Sequence, residues 1–96
     1  MMVVITYDVN TETGLGQARL RKIAKVCKNY GQRVQNSVFE CMVDTTQLKQ
    51  LQIKLEKIMD QKTDSIRYYN LGNAWKEHVR HVGAKPSLDM DDFLIA

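Results

Sequence analysis

The fold is decided in the middle of the chain, at Gln32-Arg33-Val34-Gln35-Asn36-Ser37-Val38-Phe39-Glu40-Cys41-Met42-Val43. This stretch is rich in residues that favour β-structure, and the turn-prone pair Asn36-Ser37 interrupts it. It therefore predicts one kinked strand or a tight hairpin of two strands. A helical pattern lies on each side of it, and a strand pattern lies beyond each helix.

Amphipathic helices are predicted on both sides of this central stretch. Residues 17–30 have apolar side chains at helical spacing and stop at Gly31, and the polar, glycine-containing residues 10–16 predict a loop before them. Residues 44–47 carry capping side chains and begin the second helix. The core-facing stripes are Leu20, Ile23, Ala24, Cys27 and Tyr30 in the first helix and Leu48, Leu51, Leu55, Ile58 and Met59 in the second.

The outer strands complete the pattern. Residues 2–9 are apolar and alternate, and residues 63–71 form another strand pattern that Gly72 closes. The first strand's two faces hold Val3, Ile5, Tyr7 and Val9 on one side and Val4, Thr6 and Asp8 on the other. The order predicts an α+β fold, a ferredoxin-like βαββαβ sandwich with both helices on one face of an antiparallel sheet, spanning residues 1–83.

Two more β-prone pieces, residues 75–82 and 92–96, follow around a polar loop that contains Pro86. We expect them to add to a sheet edge, and we expect residues 84–96 to be a tail whose short extra strand joins the partner's sheet. A chain of 96 residues hides only about 60 to 65% of its unfolded surface, so its core is thin and a homodimer is expected.

The composition excludes several classes of protein. Apolar residues make up 44% and charged residues 26% of the chain, which is typical of a globular protein. The longest apolar run, residues 1–5, is too short to span a membrane, and Asp8 comes too early for a signal peptide, so we expect a cytoplasmic protein. Cys27 and Cys41 are too few and too far apart for a disulfide framework or a zinc site, and we interpret them as small buried residues.

The net charge of +3 is concentrated in one segment. Residues 19–33 contain six basic side chains and no acid, whereas residues 43–96 contain eight of each sign. On a helical wheel the basic residues Arg21, Lys22, Lys25 and Lys28 gather opposite the apolar stripe. Such a face is either an ordinary solvated helix surface or a patch that attracts a polyanion.

Asp8 is an acid at the end of an apolar strand, and two interpretations are open. Its side chain caps the following loop, or it is a hard oxygen ligand for Mg²⁺ or Mn²⁺. One carboxylate alone makes a poor metal site. A twofold dimer brings each residue near its own copy, so two Asp8 side chains would share one ion at the axis.

Four segments of the chain, taken together, resemble a known family. They are Tyr7-Asp8-Val9, Arg19-x-Arg21, Tyr30-Gly31-x-Arg33-Val34-Gln35-x-Ser37-Val38-Phe39-Glu40-Cys41, and Ser65-Ile66-Arg67-Tyr68-Tyr69-Asn70-Leu71-Gly72. In this order they resemble the small CRISPR-associated adaptation nuclease family, the second adaptation protein that partners the CRISPR integrase. The resemblance covers residues 1–83, and its longest segment is the most specific.

The resemblance implies a ferredoxin-like homodimer in which Asp8 from both subunits binds Mg²⁺ or Mn²⁺. It implies a metal-dependent endonuclease on RNA or double-stranded DNA. The other residues that match positions linked with this activity or with the architecture of the site are Tyr7, Arg19, Arg33, Ser37 and Phe39.

The same resemblance implies a second role, in which the protein bridges integrase subunits and contacts a DNA duplex. For that role the expected phosphate contacts are Arg19, Arg21, Lys22, Lys25 and Arg33. Two alternatives to a CRISPR nuclease stay open on the sequence alone. One is a scaffold without catalytic work of its own, and the other is a toxin-like ribonuclease of similar fold.

Overall fold

Four strands and two helices form the part of the chain that the computed structural model describes, residues 1–10 and 12–84. The elements are β1 (Met2–Asp8), α1 (Gly14–Lys28), β2 (Gly31–Gln35), β3 (Val38–Met42), α2 (Thr45–Ile58) and β4 (Ser65–Gly72). A single 3₁₀ turn, Trp75–Glu77, follows β4. This α+β order confirms the arrangement of strands and helices predicted from the sequence.

The central stretch is a hairpin, which decides between the two sequence interpretations. β2 and β3 pair antiparallel on either side of a turn at Asn36 and Ser37, with a register shift between Arg33 and Gln35. Gly31 begins β2 against the backbone of β3, and a Cβ there would lie 1.9 Å from the carbonyl oxygen of Glu40. Only glycine fits this close approach.

The four strands form one antiparallel sheet in the order β2-β3-β1-β4. β1 is therefore central, and it pairs with β3 on one side and with β4 on the other. At its far end Asp8 lies opposite Ser65 of β4, while the pairing with β3 ends at Thr6 opposite Val38.

Both helices cover one face of this sheet. The strand residues that alternate toward the helices are fully buried in β1 and β3, and they pack with the predicted apolar stripes of α1 and α2. The cluster comprises Val3, Ile5, Tyr7, Ile23, Ala24, Cys27, Phe39, Cys41, Val43, Leu51 and Leu55. We call this side of the sheet the covered face. The opposite side, the open face, presents Val4, Thr6 and Asp8 of β1 and Ser65, Arg67 and Tyr69 of β4.

Helix α1 begins at Gly14, three residues before the predicted start, and ends at Lys28. The prediction took the two glycines as loop residues, but the side-chain oxygen of Thr13 accepts a hydrogen bond from the Gly16 N–H at 3.2 Å. This cap stabilises the first helical turn, where glycine is least costly. The predicted loop is correspondingly shorter.

The prediction of a strand over residues 75–82 is wrong. Gly72 has a φ of 74°, which turns the chain at the end of β4. A 3₁₀ turn follows, in which the Glu77 N–H donates to the Ala74 carbonyl at 3.1 Å and the His78 N–H donates to the Trp75 carbonyl at 2.9 Å. These local bonds use the backbone groups that a strand would offer to a neighbour. The predicted strand at residues 92–96, like all but the first residue of the predicted tail, lies outside the described residues.

Both cysteines are buried and carry free thiols, which confirms their interpretation as core residues. A hydrogen bond with Cys41 and burial raise the pKa of the Cys27 thiol, so it stays protonated.

Neither helix among residues 1–10 and 12–84 has the length and hydropathy needed to span a membrane.

Candidate functional site

Asp8 stands at the rim of the open face, with its side chain exposed to solvent. Among the described residues, the loop that follows is capped by other groups: the Asn10 side-chain oxygen accepts from the Glu12 N–H at 2.9 Å, and Thr13 caps α1. The Asp8 carboxylate makes no hydrogen bond or ion pair within that part of the chain. The geometry therefore favours the ligand interpretation of Asp8 over the capping one.

Tyr7 and Arg19 lie on the covered face, where they meet a carboxylate that the sequence analysis did not single out. The Tyr7 hydroxyl donates to Asp64 Oδ2. Arg19 binds the same carboxylate through two bonds, Nε to Oδ2 at 2.8 Å and Nη2 to Oδ1 at 3.2 Å. Asp64 is fully buried at its side chain, and Arg19 is 20% exposed there. We call Tyr7, Arg19 and Asp64 the buried triad.

The triad is charged and held by hydrogen bonds. Burial by itself would raise the pKa of Asp64, but hydrogen bonds from Arg19, Tyr7, the Asp60 backbone N–H and Thr63 lower it to about 2. Burial, followed by the hydrogen bond to the Asp64 carboxylate, raises the pKa of Tyr7 to about 12. At neutral pH Tyr7 is thus a protonated donor and Asp64 an ionised acceptor.

Arg33, Phe39 and Ser37 shape the hairpin. Phe39 is fully buried, and the Arg33 guanidinium lies over its ring at 5.7 Å from the centroid. Arg33 Nε also donates to the Asn36 carbonyl at 2.7 Å, which fastens the turn. The Ser37 carbonyl accepts from the Tyr7 N–H at 2.9 Å and so extends the pairing of β1 with the turn.

The predicted site residues consequently divide between the two faces of the sheet. Successive residues of a strand point to opposite sides, so Tyr7 faces the helices and Asp8 faces away from them. Arg19, Arg33 and Phe39 contact groups on the covered side. Within the described chain only Asp8 of the predicted catalytic side chains projects from the open face.

Arg67, a residue to which the sequence assigned no role, shares the open face with Asp8. Arg67 lies opposite Thr6, two positions along β4 from Ser65, and it is exposed. Diagonal neighbours of this kind on paired strands have Cα atoms about 7 to 8 Å apart, within reach of a long side chain. Its Nη1 donates to the Tyr69 hydroxyl at 3.3 Å. In the sequence of β4 the more polar Ser65, Arg67 and Tyr69 alternate with Ile66 and Tyr68. This alternation is the signal from which sequence reasoning could have placed Arg67 on the open face.

The basic face of α1 lies on the solvent side of the helix layer. Arg21, Lys22, Lys25 and Lys28 are all exposed, as the helical wheel predicts. None of these four forms an ion pair with an acid of residues 1–10 and 12–84. They are available to phosphate groups, whereas the Arg19 fork is occupied by Asp64.

The donor chemistry of the open face suits a hard divalent cation. Mg²⁺ keeps several waters and is commonly held by one or two carboxylates together with substrate phosphates, and Asp8 is such a carboxylate. The described residues contain no group of three or more His, Cys, Asp or Glu side chains close enough to enclose a metal. The described part of each chain therefore offers an open position with one carboxylate, Asp8, and no closed cage.

The described residues form a small α+β protein with helices on one side of its sheet, an exposed carboxylate at the rim of the sheet and a basic face on α1. A basic helix face is typical of proteins that bind nucleic acid. The family model described as CRISPR associated protein Cas2 matches residues 1–79, and the chain belongs to this family. The family resemblance found in the sequence is thereby confirmed.

Two curated relatives match nearly the whole chain. The chain is 59% identical to the CRISPR-associated endonuclease Cas2 of Halalkalibacterium halodurans over 95 residues, with 99% of each chain covered. It is 57% identical to the CRISPR-associated endoribonuclease Cas2 of Chlorobaculum tepidum, again over 95 residues and with 99% of each covered.

Solved structures agree with the fold. The crystal structure of Streptococcus pyogenes Cas2 at pH 6.5 superposes with a TM-score of 0.79 at 55% identity, covering 86% of this chain and 100% of that one. A chain of a partial Cas6-RT-Cas1–Cas2 complex superposes with a TM-score of 0.58 at 25% identity, covering 85% of this chain and 91% of that one.

Proposed function

We propose that this protein is a CRISPR adaptation protein that binds duplex nucleic acid and cleaves phosphodiester bonds with Mg²⁺ or Mn²⁺ at Asp8. The proposal includes a ferredoxin-like homodimer, in which the open faces of two chains bring their Asp8 residues to one site. The observation that carries it is the position of Asp8, which is exposed and unpaired on a sheet face that no other element of the described chain covers. The names of the two curated relatives, endonuclease and endoribonuclease, support the same chemistry.

The strand order β2-β3-β1-β4 supports the ferredoxin-like arrangement, because it places the first strand at the centre and both helices on one side. It also leaves the open face and the outer edge of β4 for a second chain. The half-buried Val4 and Thr6 lie on that face beside Asp8. A dimer formed there would bury apolar surface that the small core of one chain leaves uncovered.

In the proposed mechanism Asp8 of each chain would hold the metal. When bound, Mg²⁺ or Mn²⁺ would supply an activated water and neutralise phosphate charge. Arg67 lies on the same face and is placed to bind the phosphate oxygens as negative charge develops on them. Tyr7 and Arg19 support the strand that carries Asp8 and do not contact substrate.

Nucleic acid is bound by the α1 surface as well as at Asp8. Arg21, Lys22, Lys25 and Lys28 supply charge for backbone contacts, which carry no sequence preference. Replacing Arg21 and Lys25 together by Gln is expected to lower the slope of log affinity against log salt by about 2. Lys49→Gln, an exposed charge on α2, serves as the control and should leave the slope nearly unchanged.

The decisive experiment compares wild type with Asp8→Ala on matched duplex DNA and single-stranded RNA while Mg²⁺ is titrated. Asp8→Ala should abolish metal-dependent cleavage and leave the dimer intact, as judged by sedimentation. Equal cleavage by both proteins would remove the catalytic assignment. The ratio of the wild-type rates on the two substrates identifies the preferred nucleic acid.

A non-catalytic scaffold that bridges the CRISPR integrase and spacer DNA is the second candidate. It is favoured by the small number of ligands. The second open-face carboxylate of the described chain, Glu40 opposite Val4, accepts a hydrogen bond from Gln32 at 2.9 Å, and no three metal-binding groups cluster there. The related Cas1–Cas2 complex supports an integrase partner. Spacer acquisition that survives Asp8→Ala but is lost on charge reversal at Arg21, Lys22 and Lys25 would establish the scaffold role.

A further inference from the structure

The last residues of β1 are held differently from the rest of that strand. The register with β3 stops at Thr6, and Asp8 pairs with β4 alone, through Ser65. The residue before Asp8 is Tyr7, and the residue before Ser65 is Asp64. The hydrogen bond from Tyr7 to Asp64 thus joins the two chain neighbours of this terminal pair, on the opposite face of the sheet.

Asp64 collects donors from three separate parts of the chain. The Tyr7 hydroxyl comes from β1, and the Arg19 guanidinium comes from α1. The third set is local: the Asp60 N–H donates to Oδ2 at 3.0 Å, and the Thr63 hydroxyl donates to Oδ1 at 3.2 Å. The Asp64 N–H in turn donates to the Asp60 carbonyl at 2.7 Å, so the turn that begins β4 is itself fixed.

The triad is enclosed, which separates its role from contact with substrate. Tyr7 is only 2% exposed, and the side chain of Asp64 is fully buried. Two nitrogens of the Arg19 fork are occupied by the Asp64 carboxylate. A phosphodiester on the open face lies across the sheet from all three groups.

We infer that Asp64 is a positioning residue, which acts through Tyr7 and Arg19 to fix the end of β1 and aim Asp8 at the open face. This inference rests on the proposed function of Asp8 and assigns Tyr7 and Arg19 to the support of the metal position. Removing a group that orients a metal ligand commonly changes metal affinity by about 10- to 100-fold.

The chain offers a matched control. On the same covered face, the Tyr68 hydroxyl of β4 donates to Glu56 Oε2 of α2 at 3.3 Å. This is also a tyrosine–carboxylate bond between the sheet and another element, but it lies well away from the Asp8–Ser65 pair along β4. Glu56→Gln therefore tests the loss of a comparable bond at a distance from the terminal pair.

The first experiment measures amide hydrogen exchange in Asp64→Asn, Glu56→Gln and wild type. The change in the global free energy of unfolding, measured by urea denaturation, is subtracted first. Beyond it, the amides of residues 7, 8 and 65 in Asp64→Asn should exchange about tenfold faster than in wild type, while those of the hairpin change much less, because local opening has its own free energy. Glu56→Gln should leave residues 7, 8 and 65 unchanged. A loss of protection at residues 7, 8 and 65 no larger than that of the rest of the sheet in Asp64→Asn would show a general structural role and overturn the inference.

The second experiment measures Mn²⁺ binding directly by electron paramagnetic resonance, without substrate. Asp64→Asn should weaken Mn²⁺ binding about tenfold, and the Mg²⁺ concentration for half-maximal cleavage should rise by a similar factor. Unchanged Mn²⁺ affinity with a lower maximal rate would overturn the inference, since it would mean that the triad acts on the substrate. If Asp64→Asn does not fold, Tyr7→Phe replaces it, because it removes only the hydroxyl donor.

Asp8→Ala separates this inference from the proposed function. If Asp8→Ala binds Mn²⁺ as wild type does, the metal assignment of Asp8 fails. The exchange comparison still decides whether Asp64 fixes the end of β1. If Asp8→Ala loses Mn²⁺ but Asp64→Asn retains full affinity, the proposed function stands and the positioning role fails.

Discussion

The covered and open faces of the sheet are built from alternate residues of the same strands, yet they differ in composition and in contacts. In β1 the covered side is closed by Ile5 and Tyr7, which are buried, and the open side ends in the exposed Asp8. The covered face holds the core and a paired buried charge, whereas the open face holds an exposed carboxylate and the cation Arg67. One strand can therefore stabilise the core through the side chains of its covered face and expose functional side chains on its open face.

The largest expected effect tests the covered face at Phe39. Phe39→Ala should lower the free energy of unfolding by about 3 to 5 kcal/mol, because it leaves a cavity under the Arg33 guanidinium. Val38→Ala, the neighbouring residue on the open side, should lower it by less than about 1 kcal/mol. Urea denaturation measures both, and equal losses would contradict the division between the faces.

The next effect concerns the buried charge of Asp64. Its pKa is about 2 in the folded protein and close to 3.9 when unfolded, so its ionised form stabilises the fold. This stabilisation, about 2 kcal/mol, is fully present above pH 4 to 5 and is lost as the pH falls from there through about 2. Denaturation curves measured from pH 7 to pH 2 should show this pH-dependent loss of stability in wild type and not in Asp64→Asn. Parallel pH profiles of the two proteins would contradict it.

A smaller effect is expected at the start of α2, which helps to cover the sheet. Asp44 accepts from the Gln47 N–H at 2.7 Å, and the Gln47 side chain accepts from the Asp44 N–H at 2.9 Å. Asp44→Ala should remove this capping box and lower the thermal unfolding free energy by about 1 kcal/mol. Mn²⁺ binding at a temperature where the variant is folded should be unaffected, since the cap is on the helix layer.

The smallest effect on stability is expected on the open face. Asp8→Asn should change the free energy of unfolding by no more than about 0.5 kcal/mol, because the carboxylate is exposed and makes no bond to residues 1–10 or 12–84 that the change would break. Metal-dependent cleavage by the same variant should be lost. A large destabilisation by Asp8→Asn would show that the residue is structural, and the contrast between the two faces would then be wrong at its most important position.

Most of the fold could be predicted from periodicity. The apolar stripes of both helices, the alternation in β1 and the turn at Asn36-Ser37 correctly indicate the elements and the buried side of each. The errors lie where local hydrogen bonds outweigh propensity. A side-chain cap at Thr13 starts α1 within a glycine-containing segment, and a 3₁₀ turn replaces the strand predicted after Gly72.

The candidate site was harder to predict from the sequence because its contacts join residues that are far apart along the chain. Asp8 and the basic face of α1 could be identified from a strand end and from a helical wheel. The bond between Tyr7 and Asp64 spans 57 residues, and a polar run around Asp64 is typical of any loop. Arg19 faces the covered side because it binds Asp64, which lies 45 residues further along the chain. The spacing of residues in the sequence does not identify this partner.

The central position of β1 also has a consequence for synthesis. The first strand of the chain needs β4, the last strand among the described residues, as its neighbour, and that strand ends at Gly72. Because synthesis proceeds from the N-terminus, β1 leaves the ribosome long before its second partner exists. The side chain of Asp8 gains its fixed surroundings only when Ser65 arrives, so a chain stalled after α2 and before β4 would have a hairpin and both helices but no aligned carboxylate.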